Sequence, residues 1–159
     1  MKDSQVHQDT IQYGVIGCGM MGQEHLRNIA LLPGARVAAI FEPDALMADA
    51  AQAIAPGAQM MPTLDALLAE PGLDCLLVAS PNHCHVDQLL RIAETRPLPL
   101  LMEKPLFTRP EDQPALERLA QDYPAPIWVA MEYRYMPPIA AFLEQRDRAT
   151  GRVTMLSIR

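Results

Sequence analysis

Short apolar runs alternate with amphipathic stretches of helical period along most of this chain. Residues 11–16 form a β-rich run, glycines follow at once, and 24–32 has helical character closed by Pro33-Gly34. Residues 36–41 read as a second strand, and Asp44 is placed to N-cap an alanine-rich helix over 45–54 that stops at Pro56-Gly57. A short strand at 59–61 leads to Thr63, an N-cap for 64–69, with Pro71-Gly72 as the stop. Residues 75–79 are the next buried strand, and Ser80-Pro81 opens a helix over 83–95. A strand at 99–102, a helix across 111–123 and a strand at 127–131 complete the series.

Strands covered on both faces read as continuous apolar runs rather than alternating ones. Their alternation with helices marks repeated βαβ units, and right-handed crossovers then give a doubly wound parallel sheet. The expected class is α/β, with a Rossmann-type dinucleotide-binding domain over 11–131 after a polar tail at 1–10. The rhythm changes after Met131. Residues 133–136 are aromatic, Pro137-Pro138 breaks the pattern, 139–148 reads as a helix, and 152–159 has strand chemistry. Residues 132–159 are therefore expected to be a connecting segment, a helix and the first strand of a second, α+β domain cut short.

Composition narrows the function classes. The 159 residues are half hydrophobic and one-fifth charged, an ordinary globular balance. A net charge of −6 with no basic run argues against nucleic acid, whose phosphates need clustered Lys and Arg. The apolar stretches, such as 75–79 and 98–102, are far too short to cross a bilayer, and the polar tail shows no secretory signal. Three cysteines in no framework spacing point to reduced thiols and a cytoplasmic protein. His83-Cys84-His85 is not a metal set, because adjacent residues diverge on a helix and no second Cys/His pair stands at zinc-finger spacing. No metal site is expected.

The chemistry gathers where strands end. Gly17-Cys18-Gly19-Met20-Met21-Gly22 follows the first strand and opens the first helix, the context that gives a G-x-G-x-x-G its meaning. Gly17 permits the tight turn, Gly19 lets backbone approach a pyrophosphate, Gly22 lets the helix pack close, and the helix N-terminus supplies partial positive charge. Glu42 ends the second strand, twenty residues beyond Gly22, where a carboxylate can accept bonds from the adenosine ribose hydroxyls. It would repel a 2′-phosphate, and 42–54 holds no Lys or Arg to offset that, so NAD is favoured over NADP. Asp44 is read as a helix cap. Ser80, Asn82 and His85, just past the fourth strand, are polar groups within cofactor reach. Lys104 emerges after the apolar run 100–102, in Glu103-Lys104-Pro105, where burial could tune it as acid or base.

These segments resemble the glucose–fructose oxidoreductase/inositol dehydrogenase (Gfo/Idh/MocA) family. The matching pieces are the glycine motif, Ser80-Pro81-Asn82-His83-Cys84-His85, Glu103-Lys104-Pro105 and Tyr133-Arg134-Tyr135-Met136-Pro137. The resemblance implies a nicotinamide-dependent oxidoreductase acting by hydride transfer on a sugar, inositol or related polyol. By the same resemblance Lys104 would be catalytic, beside the nicotinamide. Glu103 would touch the cofactor ribose or set the charge of Lys104. Asn82 and His85 would fill cofactor-side positions, and Arg134 would lie near the nicotinamide end. Family members carry a second domain that supplies a histidine, often with an aspartate, for proton transfer; His7, in the tail, is a poor candidate for that group. The expectation is thus an NAD-binding part, incomplete alone, that self-associates in isolation and is homo-oligomeric at full length. Two other readings are a dinucleotide-sensing module of the same fold and a Rossmann domain for a different nucleotide or none.

Overall fold

The computed structural model describes residues 10–148, so the expected strand at 152–159 and most of the N-terminal tail lie outside them. The elements are β1 (Ile11–Ile16), α1 (Met20–Ala30), β2 (Ala35–Phe41), α2 (Ala45–Ile54), β3 (Gln59–Met60), α3 (Leu64–Leu68) and β4 (Cys75–Val78). They continue with α4 (His85–Thr95), β5 (Leu100–Met102), α5 (Gln113–Asp122), β6 (Ile127–Val129) and α6 (Pro137–Arg148). The six strands form one parallel sheet in the order β3-β2-β1-β4-β5-β6. That order reverses direction at β1 and β4, which makes the carboxyl edge there a topological switch point.

Both faces of the sheet are buried, and successive residues of a strand serve opposite layers. Val15 packs with Leu26 and Ile29 of α1 and Ala51 of α2, while its neighbour Ile16 packs with Leu67 and Leu68 of α3, Leu89 and Ile92 of α4 and Leu116 of α5. In β4, Leu76 and Val78 join the second layer and Leu77 the first. Where a strand is covered on both sides, successive residues must all be apolar, which is why β4 and the carboxyl halves of β1 and β2 read as continuous runs.

The caps settle the ends of two helices. Asp44 Oδ1 accepts the Met47 N–H at 3.0 Å and Thr63 Oγ1 accepts the Ala66 N–H at 3.0 Å, as their positions predicted. Other boundaries move. The first helix begins at Met20 rather than 24, because Gly19 is itself its N-cap. A 3-10 turn, Asn82–Cys84, precedes α4, and another, Pro110–Asp112, precedes α5. Pro137-Pro138 does not break the chain but starts α6, where a missing N–H costs nothing because first-turn N–H groups have no intrahelical partner.

The chain divides into two compact units between Val129 and Ala130. The second, taken by itself, holds the 3-10 turn Glu132–Tyr135 and α6, with Tyr133, Arg134 and Tyr135 exposed. None of the helices among the described residues is long and apolar enough to cross a membrane.

Candidate functional site

Four strands deliver residues to one cleft of about 470 Å³ at the carboxyl edge of the sheet. After β1 come Gly17, Gly19, Met20 and Met21; after β2, Glu42 and Asp44; after β4, Ser80, Pro81 and Asn82; after β5, Glu103, Lys104 and Pro105. Met47 of α2 completes the wall beside Asp44.

The glycines do separate jobs. Gly17 has φ +87°, and a Cβ there would lie 2.4 Å from Ser80 Cα, so both conformation and space demand glycine. A Cβ on Gly22 would lie 2.3 Å from the Gly17 carbonyl oxygen, which is the close helix–strand packing expected of the third glycine. A Cβ on Gly19 would meet nothing within 4 Å; its side faces open space. Gly19 caps α1 without a side-chain bond, so no cap takes up the first-turn N–H groups. Open backbone at a helix N-terminus is what a pyrophosphate needs, and the residues present fit such a group.

Glu42 is pinned by backbone. Its Oε2 accepts the Cys18 N–H at 2.5 Å and its Oε1 accepts the Asp44 N–H at 2.9 Å. Each carboxylate oxygen has two lone pairs, so both keep one for a ligand hydroxyl. Asp44 caps α2 and also lines the cleft, a second role the cap pattern did not show.

Some residues sit differently from the sequence expectation. Cys18 does not line the cleft: its side chain is fully buried, and its N–H is spent on Glu42. Burial, then the Glu42 carboxylate, pushes its thiol up to about 12. His85 is also fully buried, with Nδ1 2.8 Å from the Pro105 carbonyl oxygen and Nε2 2.9 Å from that of Ser80. It braces the two turns that carry Ser80 and Lys104 instead of facing a ligand. Lys104 is exposed rather than buried, and its side chain has no hydrogen bond or ion pair among the described residues. Ser80 is nearly buried, and its hydroxyl donates to Gln88 Oε1 at 2.5 Å. Arg134 belongs to the second unit, in its 3-10 turn.

One contact was missed. His25, on α1, places Nε2 2.7 Å from Glu103 Oε1, and both side chains are largely buried. The available signal was spacing: His25 follows Gly22 by three residues and so shares the helix face that Gly22 presses towards the strand. The other oxygen of Glu103 accepts the backbone N–H of Lys104 at 3.3 Å. Among the described residues no group of three or more His, Cys, Asp and Glu could hold a metal ion.

Residues 11–131 match the model of the oxidoreductase family with an NAD-binding Rossmann fold, Gfo/Idh/MocA. The inositol 2-dehydrogenase of Corynebacterium glutamicum strain R is 36% identical over 130 residues, covering 80% of this chain and 38% of that protein. The inositol 2-dehydrogenase of Leifsonia xyli is 41% identical over 97 residues, 60% of this chain and 28% of that protein. Among solved structures, myo-inositol dehydrogenase from Lactobacillus casei, in complex with NAD(H) and myo-inositol, superposes with a TM-score of 0.78 at 30% identity. The match covers 87% of this chain and 42% of that one. The chain thus spans about two-fifths of these relatives' length at most. The resemblance carried by the four motifs is borne out: the chain belongs to the Gfo/Idh/MocA oxidoreductase family, over its NAD-binding Rossmann fold.

Proposed function

We propose that this chain is the NAD-binding part of an oxidoreductase acting on a CH–OH group of an inositol, sugar or related polyol. The observation that carries this reading is the convergence of the glycine turn, Glu42, Asn82, Glu103 and Lys104 on one cleft. The open side of Gly19 and the uncapped N-terminus of α1 would hold the pyrophosphate. Glu42 would take the adenosine ribose hydroxyls on its free lone pairs. Two carboxylates, Glu42 and Asp44, line that end and oppose a 2′-phosphate, which favours NAD over NADP. Ser80 and Asn82 line the cleft between that end and Lys104, where they would meet the cofactor's nicotinamide half.

NAD, when bound, supplies the hydride acceptor or donor. The protein's part is the proton. Lys104, free of partners on the cleft wall, would hydrogen-bond the reacting oxygen, take its proton as the carbonyl forms and return it in the reverse direction. The polyol class rests on the inositol dehydrogenases that the chain resembles. Those relatives are more than twice as long, which supports the reading that substrate contacts and a second proton-transfer group would come from a further domain. Free thiols at Cys18, Cys75 and Cys84 support a cytoplasmic setting. Exposed Tyr133, Tyr135 and Met136 support assembly with further protein surface, homo-oligomeric in the whole protein.

The test is a fluorescence titration of the 159-residue chain with NADH, joined to a dehydrogenase assay over a panel of inositols and sugars. Saturable NADH binding with negligible turnover is expected. Absence of binding would sink the cofactor assignment, and substantial turnover would sink the division of the catalytic centre between domains.

A further inference from the structure

Glu103 is 6% exposed, yet it stands in the wall of the cleft. A carboxylate so nearly stripped of water needs hydrogen-bond donors from the protein. Among the described residues it has two: the ring of His25 at 2.7 Å on Oε1 and the backbone N–H of Lys104 at 3.3 Å on Oε2. The first is short and comes from α1, 78 residues away in sequence; the second is long and comes from the next residue. A carboxylate only accepts, so the proton of the short bond sits on His25 Nε2.

We propose that His25 is a positioning residue: it fixes the carboxylate of Glu103 and, through the opposite oxygen, the backbone from which Lys104 reaches into the cleft. This rests on the reading of the cleft as a nicotinamide dinucleotide site. The same helix lines the cleft with Met20 and Met21 and holds Glu103 one turn further along, so α1 joins the glycine turn to the lysine corner. Without the His25 donor, Glu103 keeps only its long bond and turns towards solvent or ligand, and the Lys104 backbone loses its anchor.

Two measurements on the same chain test this. The first needs no ligand: hydrogen exchange and chemical shift of the Lys104 backbone amide, by NMR, in wild type, His25→Phe and His25→Gln. The phenylalanine variant is expected to expose that amide to faster exchange, and glutamine, which keeps a donor, to restore most of its protection. If phenylalanine does not fold, His25→Asn, too short to reach Glu103, takes its place. The second is NADH affinity. His25→Phe is expected to weaken it about ten-fold, the scale of one hydrogen bond to a charged group, and to add nothing in a Glu103→Ala background, which has no acceptor for the ring. A Lys104 amide indifferent to His25, or equal losses in both backgrounds, overturns the proposal. Wild-type chain that fails to bind NADH overturns the cofactor reading instead, and the amide measurement still decides the role of His25.

Discussion

Glu42 and Lys104 line the same cleft from strands three places apart, β2 and β5 in the order β2-β1-β4-β5, a separation of roughly 14 Å at ordinary strand spacing. Glu42 is held by two backbone N–H groups and its loop is closed by the buried Cys18. Lys104 is exposed, has no side-chain partner among the described residues, and depends on Glu103 and His25 for the placing of its backbone. On the proposed function, the difference separates two tasks. An end that only binds can be finished inside one domain, whereas an end that reacts must leave its charged group free for substrate.

Substitutions on the glycine turn should show the largest effects. Gly17→Ala is expected to cost about 3 kcal/mol or more, from the clash with Ser80 Cα and a positive φ together, measured by urea denaturation. Gly19→Ala is its control: with nothing within 4 Å and φ −64°, it should lose no more than the N-cap preference of glycine over alanine, about 1 kcal/mol or less, while NADH affinity falls because the methyl stands where backbone should meet phosphate. Equal stability losses at both glycines would erase the distinction between packing and binding roles.

Next in size, Glu42→Ala should cost about 2 kcal/mol, since the Cys18 N–H loses its acceptor in a buried setting. It should also narrow the preference for NADH over NADPH, read by parallel titrations. Lys104→Ala should change stability by less than about 0.5 kcal/mol, because an exposed side chain without partners is removed. A large loss of stability there would show that Lys104 is structural.

The Cys18 thiol gives a smaller, pH-linked signature. In the folded chain it stays protonated up to about 12, whereas an unfolded thiol ionises near about 8.5. Between those values the unfolded chain binds fewer protons, so stability should fall as pH rises from about 9 towards 12, and Cys18→Ala should flatten that decline. A steep decline unchanged in Cys18→Ala would place its origin elsewhere, for instance at Tyr123, also pushed up to about 12 by burial.

Much of the fold was legible because its cause is local. A sheet buried on both faces imposes apolar runs, and Asp44 and Thr63 act on N–H groups three residues away. Gly17 and Gly22 were legible because positive φ at the first and close approach at both leave no other residue. What could not be read depends on direction or distance. His85 is a polar residue beside a cofactor-type turn, but its ring points inward to carbonyls five and twenty residues away. His25 meets its partner across 78 residues: its spacing from Gly22 marks the helix face it occupies, but nothing local names Glu103 as the partner. The start of α6 at Pro137 turned on whether two prolines end an element or begin one, and sequence pattern alone admits both.

A crystal structure of this chain with NADH would bear most directly on the account. The expected result is a dinucleotide lying along the carboxyl edge of the sheet, pyrophosphate at Gly19, adenosine ribose on Glu42 and nicotinamide beside Lys104. A cofactor bound in the opposite sense, or outside this cleft, would contradict it.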